Sequence, residues 1–150
     1  MLYINSEEKK TECILCDKIK KENDRDNYIL YRDTLCFVIM NLYPYNTGHL
    51  MISPYKHTGA IDNLSNEELL QLMKLTQFSV ENLKKSMKPE GYNIGINIGK
   101  NAGAGISDHL HLHIVPRWNG DTNFMPIVGE TKVIPQHLSE TYKKLKEFFT

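Results

Sequence analysis

His109-Leu110-His111-Leu112-His113-Ile114-Val115 is the stretch that decides how this chain is read, because three histidines alternate there with aliphatic residues. In a β-strand successive side chains leave on opposite faces, so this spacing sets the three imidazoles on one face and Leu110, Leu112 and Ile114 on the other. The aliphatic face belongs to a core. The histidine face predicts a site, since imidazole titrates near neutrality and serves as base, nucleophile or metal ligand. Taken alone, the pattern equally describes a metal-binding strand or part-buried structural histidines.

Working outward, Gly99-Lys100-Asn101-Ala102-Gly103-Ala104-Gly105 leads directly into the histidines. Its glycines let backbone N–H groups approach phosphate oxygens, and Lys100 adds positive charge. Gly91 to Ile98 alternates as a further strand, with Asn97 near its end. Upstream, Tyr28 to Tyr31 and Leu35 to Met40 read as strands joined by Arg32-Asp33-Thr34. Asn46-Thr47-Gly48 is turn chemistry, and His49 to Ser53 is a third strand of the same meander, ending at Pro54. Ser65-Asn66-Glu67-Glu68 matches a capping box with Leu64 as a staple residue, and Leu69, Met73, Val80, Leu83 and Met87 continue at helical spacing towards Pro89. Leu138, Tyr142, Leu145 and Phe149 predict a C-terminal helix over about 136–149. The expected fold is α+β, a mostly antiparallel sheet of about five strands with the 65–87 helix on one face, in a single domain spanning 1–150.

Composition narrows the function. A chain of 150 residues, 41% hydrophobic, is suited to one domain with a substantial core. Eighteen basic and eighteen acidic residues cancel, which argues against a general nucleic-acid-polymer binder while leaving a local anion site open. Met1 to Lys9 lacks a signal peptide's apolar region and no run approaches a membrane span, so a cytoplasmic protein without a membrane partner is expected. Cys13 and Cys16 form a CxxC, which in a reducing compartment points to metal or redox chemistry and reads as a knuckle over about 11–22. A tetrahedral zinc site needs two more ligands, for which His57 and His109 are candidates. Cys36, inside an apolar strand, reads as core.

The alternating histidines, the glycine-rich loop before them and Pro116 after them resemble the signature of the histidine triad family of nucleotidyl hydrolases and transferases. The likeness extends to Asn41, Gly48-His49, Asn97 and the Cys13/Cys16 pair found in zinc-containing members. Pro116-Arg117-Trp118-Asn119-Gly120-Asp121-Thr122-Asn123-Phe124-Met125 is similar to the branch that includes bacterial diadenosine polyphosphate phosphorylases.

That resemblance implies the central histidine, His111, as nucleophile forming a nucleotidyl-imidazole intermediate, a task for which neutral imidazole is both attacker and leaving group. His113 and His49 would hydrogen-bond phosphate oxygens or the leaving group, and a backbone carbonyl would fix the tautomer of His111. Asn41 would meet a ribose hydroxyl, with Ile39, Leu42 and Tyr43 as candidates for a base slot; Asn97, Gly103, Gly105 and Ser107 would serve the phosphates; Trp118 would stack on a second nucleoside or serve a dimer interface. The resemblance also implies a structural zinc ion on Cys13, Cys16, His57 and His109, magnesium or manganese accompanying the substrate, and a homodimer that covers the sheet's open edges and apolar face. Familiar branches read Gly-Gln-Ser/Thr-hydrophobic before the triad, whereas this chain has Ala104-Gly105-Ile106-Ser107-Asp108. The small Gly105 leaves room for inorganic phosphate, so phosphorolysis of diadenosine tetraphosphate is the leading expectation and hydrolysis the variant. Hydrolysis of nucleoside phosphoramidates or adenylated metabolites, a nucleotide-binding regulatory module with vestigial activity, and a zinc-dependent structural protein are the alternatives.

Overall fold

The computed structural model describes residues 13–121 and 137–150. The expected knuckle's residues 11–12, the first residue of the expected C-terminal helix and Thr122 to Met125 of the second motif lie outside them. The strands are β1 (Ile29–Arg32), β2 (Cys36–Met40), β3 (Leu50–Pro54), β4 (Gly91–Ile96) and β5 (Leu112–Arg117), and the helices are α1 (Ile14–Lys20), α2 (Asn66–Met87) and α3 (Leu138–Lys146). They form one antiparallel sheet in the order β1-β2-β3-β5-β4.

Alternation along the strands sorts residues between two cores. Leu30, Val38, Met40, Leu50, Ile52, Leu112 and Ile114 pack towards α2 and α3, with Leu72, Leu75, Leu83, Tyr142, Leu145 and Phe149 opposite them. Ile29, Phe37, Ile39 and Met51 point to the other face, where Leu15 of α1 covers them. Every residue of β2 and β3 is therefore buried. This revises the expectation that dimerisation must cover an apolar sheet face, because α1 already occupies that face. What stays open is the edge at β4, where Ile94 is 47% exposed, with Ile98 just beyond it at 45%.

The capping box forms as expected: Glu68 N–H donates to Ser65 Oγ at 3.1 Å and Ser65 N–H donates to Glu68 Oε1 at 2.9 Å, so α2 starts at a fixed residue. Of the expected stripe, Leu83 is buried and Val80 and Met87 pack against the core, but the buried face is broader than that stripe and displaced from it at the N-terminal end. Glu68, Leu72, Leu75, Thr76, Ser79, Asn82 and Leu83 are inside, while Met73 is exposed and Leu69 and Val80 are only half-buried. Small polar residues share the stripe with leucines, so apolar spacing alone marks only part of the buried face.

The regular histidine strand also begins later than its alternation suggests. β5 starts at Leu112; the residues before it are held by loop contacts, with Leu110 N–H donating to Thr58 O at 2.7 Å and Ser53 Oγ donating to Leu110 O at 2.8 Å. The alternation nevertheless survives. Leu110, Leu112 and Ile114 are buried, and β5 pairs Met51 with His113, which puts that histidine on the α1 face.

Candidate active site and metal cluster

Gly48 is where the site begins. Its φ of +80° lies in the left-handed region, and a Cβ there would meet Met87 Sδ at 2.7 Å and Pro116 Cγ at 3.3 Å. Only glycine lets this turn press against α2 and β5. Asn46 fastens the turn by donating from Nδ2 to Pro116 O at 3.1 Å and Asp121 Oδ2 at 2.8 Å. The same carboxylate accepts from Arg117 Nε at 2.8 Å and Trp118 N–H at 3.0 Å. The chain after β5 is thus a clasp that seats His49, and Asp121, which the sequence did not single out for a role, is its hub.

Hydrogen bonds fix the tautomers of this histidine group one after another. Tyr45 N–H donates to His49 Nδ1 at 3.1 Å, so the His49 proton is on Nε2. That Nε2–H lies 2.8 Å from His113 Nδ1, which therefore accepts and leaves the His113 proton on Nε2. His111 Nδ1 is 2.8 Å from His109 O, and a carbonyl only accepts. His111 therefore carries its proton on Nδ1 and keeps an open lone pair on Nε2. Burial, with His111 alongside, pulls the His113 pKa down to about 4, so this ring stays neutral across the physiological range.

His111 and His113 line a cleft of about 400 Å³ whose other walls include Ile39, Asn41, Leu42, Tyr43, Gly103 and Gly105. Among the sequence candidates, Ser107, Asn97 and Trp118 are not in its lining. Trp118 instead donates from Nε1 to Met87 O at 3.4 Å, against the end of α2. His49 backs the cleft through His113 without lining it. Asn41 Oδ1 accepts from Tyr43 N–H at 2.8 Å, which shapes the loop and leaves its amide Nδ2 beside His49 and Met51. The sequence did not single out Ile14, Leu15 and Lys18, which α1 adds to the cleft, nor Tyr45 and Met51. The lone signal for α1 was the CxxC at its start.

That pair belongs to a second cluster. Cys13, Cys16, His57 and His109 bring four donor atoms within 4.8 Å of one another. Cys13 Sγ, Cys16 Sγ and His57 Nδ1 each lie 3.4 Å from His109 Nδ1, and Cys16 Sγ lies 3.4 Å from His57 Nδ1. Zinc bonds of about 2.0–2.3 Å in a tetrahedron require donors roughly 3.3–3.8 Å apart, so the set fits such an ion. His109 is prepared for the task. Its Nε2–H donates to Pro54 O at 2.8 Å, which leaves Nδ1 as a lone-pair donor.

An antiparallel sheet with a tautomer-locked histidine at a glycine-walled cleft sets an unprotonated imidazole nitrogen where a bound ligand could meet it, and this arrangement belongs to a known family. The HIT domain profile matches residues 21–120. The chain belongs to the HIT domain family. It is 41% identical over 128 residues to a protein of Mycobacterium tuberculosis named AP-4-A phosphorylase, covering 85% of this chain and 66% of that one, just under two thirds of the relative's length. An uncharacterized HIT-like protein of Methanocaldococcus jannaschii is 34% identical over 134 residues, 89% of this chain and 98% of the other. Among solved structures, a hypothetical histidine triad nucleotide-binding protein of Sulfolobus tokodaii superposes with a TM-score of 0.74 at 28% identity, covering 91% of each chain. A Zn-bound histidine triad protein of Mycobacterium smegmatis has the same fold, with a TM-score of 0.75 at 24% identity over 92% of this chain and 93% of that one.

Proposed function

We propose that this chain cleaves dinucleoside polyphosphates, with diadenosine tetraphosphate the leading substrate, by way of a nucleotidyl group carried on His111. The observation that carries this reading is the tether of His111 Nδ1–H to His109 O, which leaves Nε2 unprotonated in a ring that lines the cleft. His111 Nε2 attacks the α-phosphorus, an N–P bond forms, and the bond to the bridging oxygen breaks to release ATP. Inorganic phosphate then attacks the same phosphorus, breaks the N–P bond and yields ADP. Water in place of phosphate would yield AMP.

His113, neutral and with its proton on Nε2, donates to a phosphate oxygen, and His49 holds it in that tautomer. Gly103 and Gly105 bring backbone close to the phosphates from the facing wall. Ser107 and Asn97 lie outside the lining and take no part in this reading, and Asn41 receives the ribose. Trp118, packed on α2, acts through the clasp that holds His49. Magnesium or manganese enters with the polyphosphate as its counter-ion.

Cys13, Cys16, His57 and His109 hold a structural zinc ion in this reading. Bound zinc supplies a rigid tetrahedral tie between α1, the loop after β3 and the start of β5. Thiols kept as metal ligands accord with a reducing, cytoplasmic setting, and the net formal charge of zero accords with a nucleotide rather than a nucleic-acid polymer as partner. Among the described residues no helix is long and apolar enough to cross a membrane. The open β4 edge with Ile94 supports a homodimer, which sedimentation tests directly: a monomer at micromolar concentration contradicts it.

Products resolved after incubation with diadenosine tetraphosphate, with and without phosphate, test the reaction. ATP plus ADP appearing only with phosphate is the expected result. ATP plus AMP at a rate indifferent to phosphate identifies hydrolysis, and no cleavage under either condition contradicts the reading.

A further inference from the structure

The proposed chemistry uses Tyr45 only through its main chain, whose N–H donates to His49 Nδ1. Its ring lies against both imidazoles of the relay. The ring centroid is 4.6 Å from that of His49, and 6.1 Å from that of His113 with the two planes only 19° apart. Tyr45 is 66% exposed, whereas His49 beneath it is 1% exposed. One face of the ring is wet and the other covers the histidine pair.

Two cavities meet at this ring. The first is the cleft that His111 and His113 line; the second, of about 260 Å³, has Asn46, Asn93, Val115, Arg117 and Asp121 as its other walls. Val115 and Arg117 follow His113 at two-residue spacing on β5, and Asn93 pairs with Val115, so the second cavity continues the histidine face of the sheet towards β4. Tyr45 is the side chain common to both cavities. Its loop gives it little freedom: Tyr43 N–H donates to Asn41 Oδ1, the Pro44 ring fixes the backbone between, and Asn46 is tied to Pro116 O and Asp121. The 2.8 Å bond from His49 Nε2–H to His113 Nδ1 thus lies under a fixed aromatic cover with a cavity on either side.

A hydrogen bond between two neutral imidazoles gains little over the bonds each ring makes to water, so it holds one geometry only where water is kept away. Without the His49 proton on its Nδ1, the His113 ring is free to turn or to change tautomer. We propose that the Tyr45 ring is a positioning element for the reaction: it keeps water from the His49–His113 hydrogen bond and steadies the His113 ring by stacking, so that His113 Nε2–H stays directed to the phosphate. The inference rests on the nucleotide-cleaving reading above and adds to it a residue that need not touch the reacting atoms.

Every residue except proline at position 45 keeps the backbone donor to His49, so substitutions here isolate the ring. In nitrogen-15-edited NMR, the proton on His49 Nε2 should exchange slowly with water in wild type and fast in Tyr45→Ala. Tyr45→Phe should keep the slow exchange, because among the described residues no hydrogen bond engages the Tyr45 hydroxyl. With diadenosine tetraphosphate, Tyr45→Ala should lose kcat about ten- to a hundredfold with little change in KM, and Tyr45→Phe should rescue it. A ring that merely fills surface space would move neither readout. Equal exchange in wild type and Tyr45→Ala overturns the proposal, as does faster exchange with kcat intact. A raised KM at unchanged kcat also overturns it, since the ring would then be a substrate contact. If wild type cleaves no dinucleotide, the proposed reaction fails, while the exchange rates still decide whether the ring holds the histidine pair. A melting temperature near that of wild type, expected for so exposed a side chain, verifies that Tyr45→Ala is folded.

Discussion

Replacing Gly59 with alanine probes the joint on which both clusters depend. A Cβ at this position would stand 2.1 Å from the backbone oxygen of Ser107. To reach even 3.0 Å, two backbone segments must part by about 0.9 Å, and neither is a flexible side chain that can swing aside. The neighbouring bond from Leu110 N–H to Thr58 O, now 2.7 Å, stretches past hydrogen-bonding range. Leu110 is buried, so its orphaned N–H costs about 1–3 kcal/mol, and residual overpacking adds about 1–3 kcal/mol. Strain shared between the two brings the expected loss to about 2–4 kcal/mol, a fall in Tm of roughly 5–15 °C. The segments that separate carry His57 on one side and His109 on the other, and metal sites tolerate only about 0.2 Å of ligand displacement. Gly59→Ala should therefore also release zinc to a chelator at a concentration that leaves the wild type loaded. Thermal melts of metal-free protein give the backbone part, and chelator competition followed by colorimetry gives the metal part. A variant that melts within 1 °C of wild type and retains zinc equally well would refute the reasoning.

Two pH effects and one structural variant follow from the same geometry. Backbone donation from Ser65, with Lys56 adding to it, holds the Glu68 carboxyl below its ordinary value of 4.5. Its contribution to stability is present above that value and is lost as pH falls through the lower folded pKa, so Glu68→Gln should flatten the acid end of the stability profile; an unchanged slope below pH 4.5 speaks against the capping arrangement. His113 behaves differently, because its folded pKa of about 4 lies below the ordinary 6.5. The unfolded chain takes up this proton first, so stability falls as pH drops from 6.5 towards 4. Nitrogen-15 NMR should find His113 neutral with its proton on Nε2 at pH 6, and an imidazolium signal there would break the Tyr45–His49–His113 chain. Asp121→Asn, which weakens the clasp on Arg117, Trp118 and Asn46, should reduce kcat through misplaced His49 with little change in the zinc content; a full-strength kcat would remove the clasp from the account.

Much of this was legible in the chain because the relevant physics is local. Alternation at His109 to Val115 gave the face assignment and Ser65 with Glu68 gave the start of α2, whereas the carbonyl that fixes the His111 tautomer, His109 O, is invisible in the sequence and appears only in the fold. What resisted reading depends on packing between distant segments. The inward face of α2 mixes Thr76, Ser79 and Asn82 with leucines, and only the sheet beneath reveals which side is covered. Ile14 and Lys18 reach the cleft because the CxxC meets His57 and His109, a juxtaposition that follows from tertiary structure rather than spacing. Trp118, equally suited by type to stacking on a nucleoside, is turned against α2 by the Asp121 clasp.

The central claim, a covalent nucleotidyl group on His111 Nε2, is tested most directly by the stereochemical course at the α-phosphorus. Diadenosine tetraphosphate bearing a single chiral phosphorothioate at that position, turned over in the presence of phosphate, gives a product whose configuration is readable by phosphorus NMR. Two successive in-line displacements, the first by His111 and the second by phosphate, predict net retention. Inversion would mean that phosphate attacks the substrate directly, and it would contradict the account.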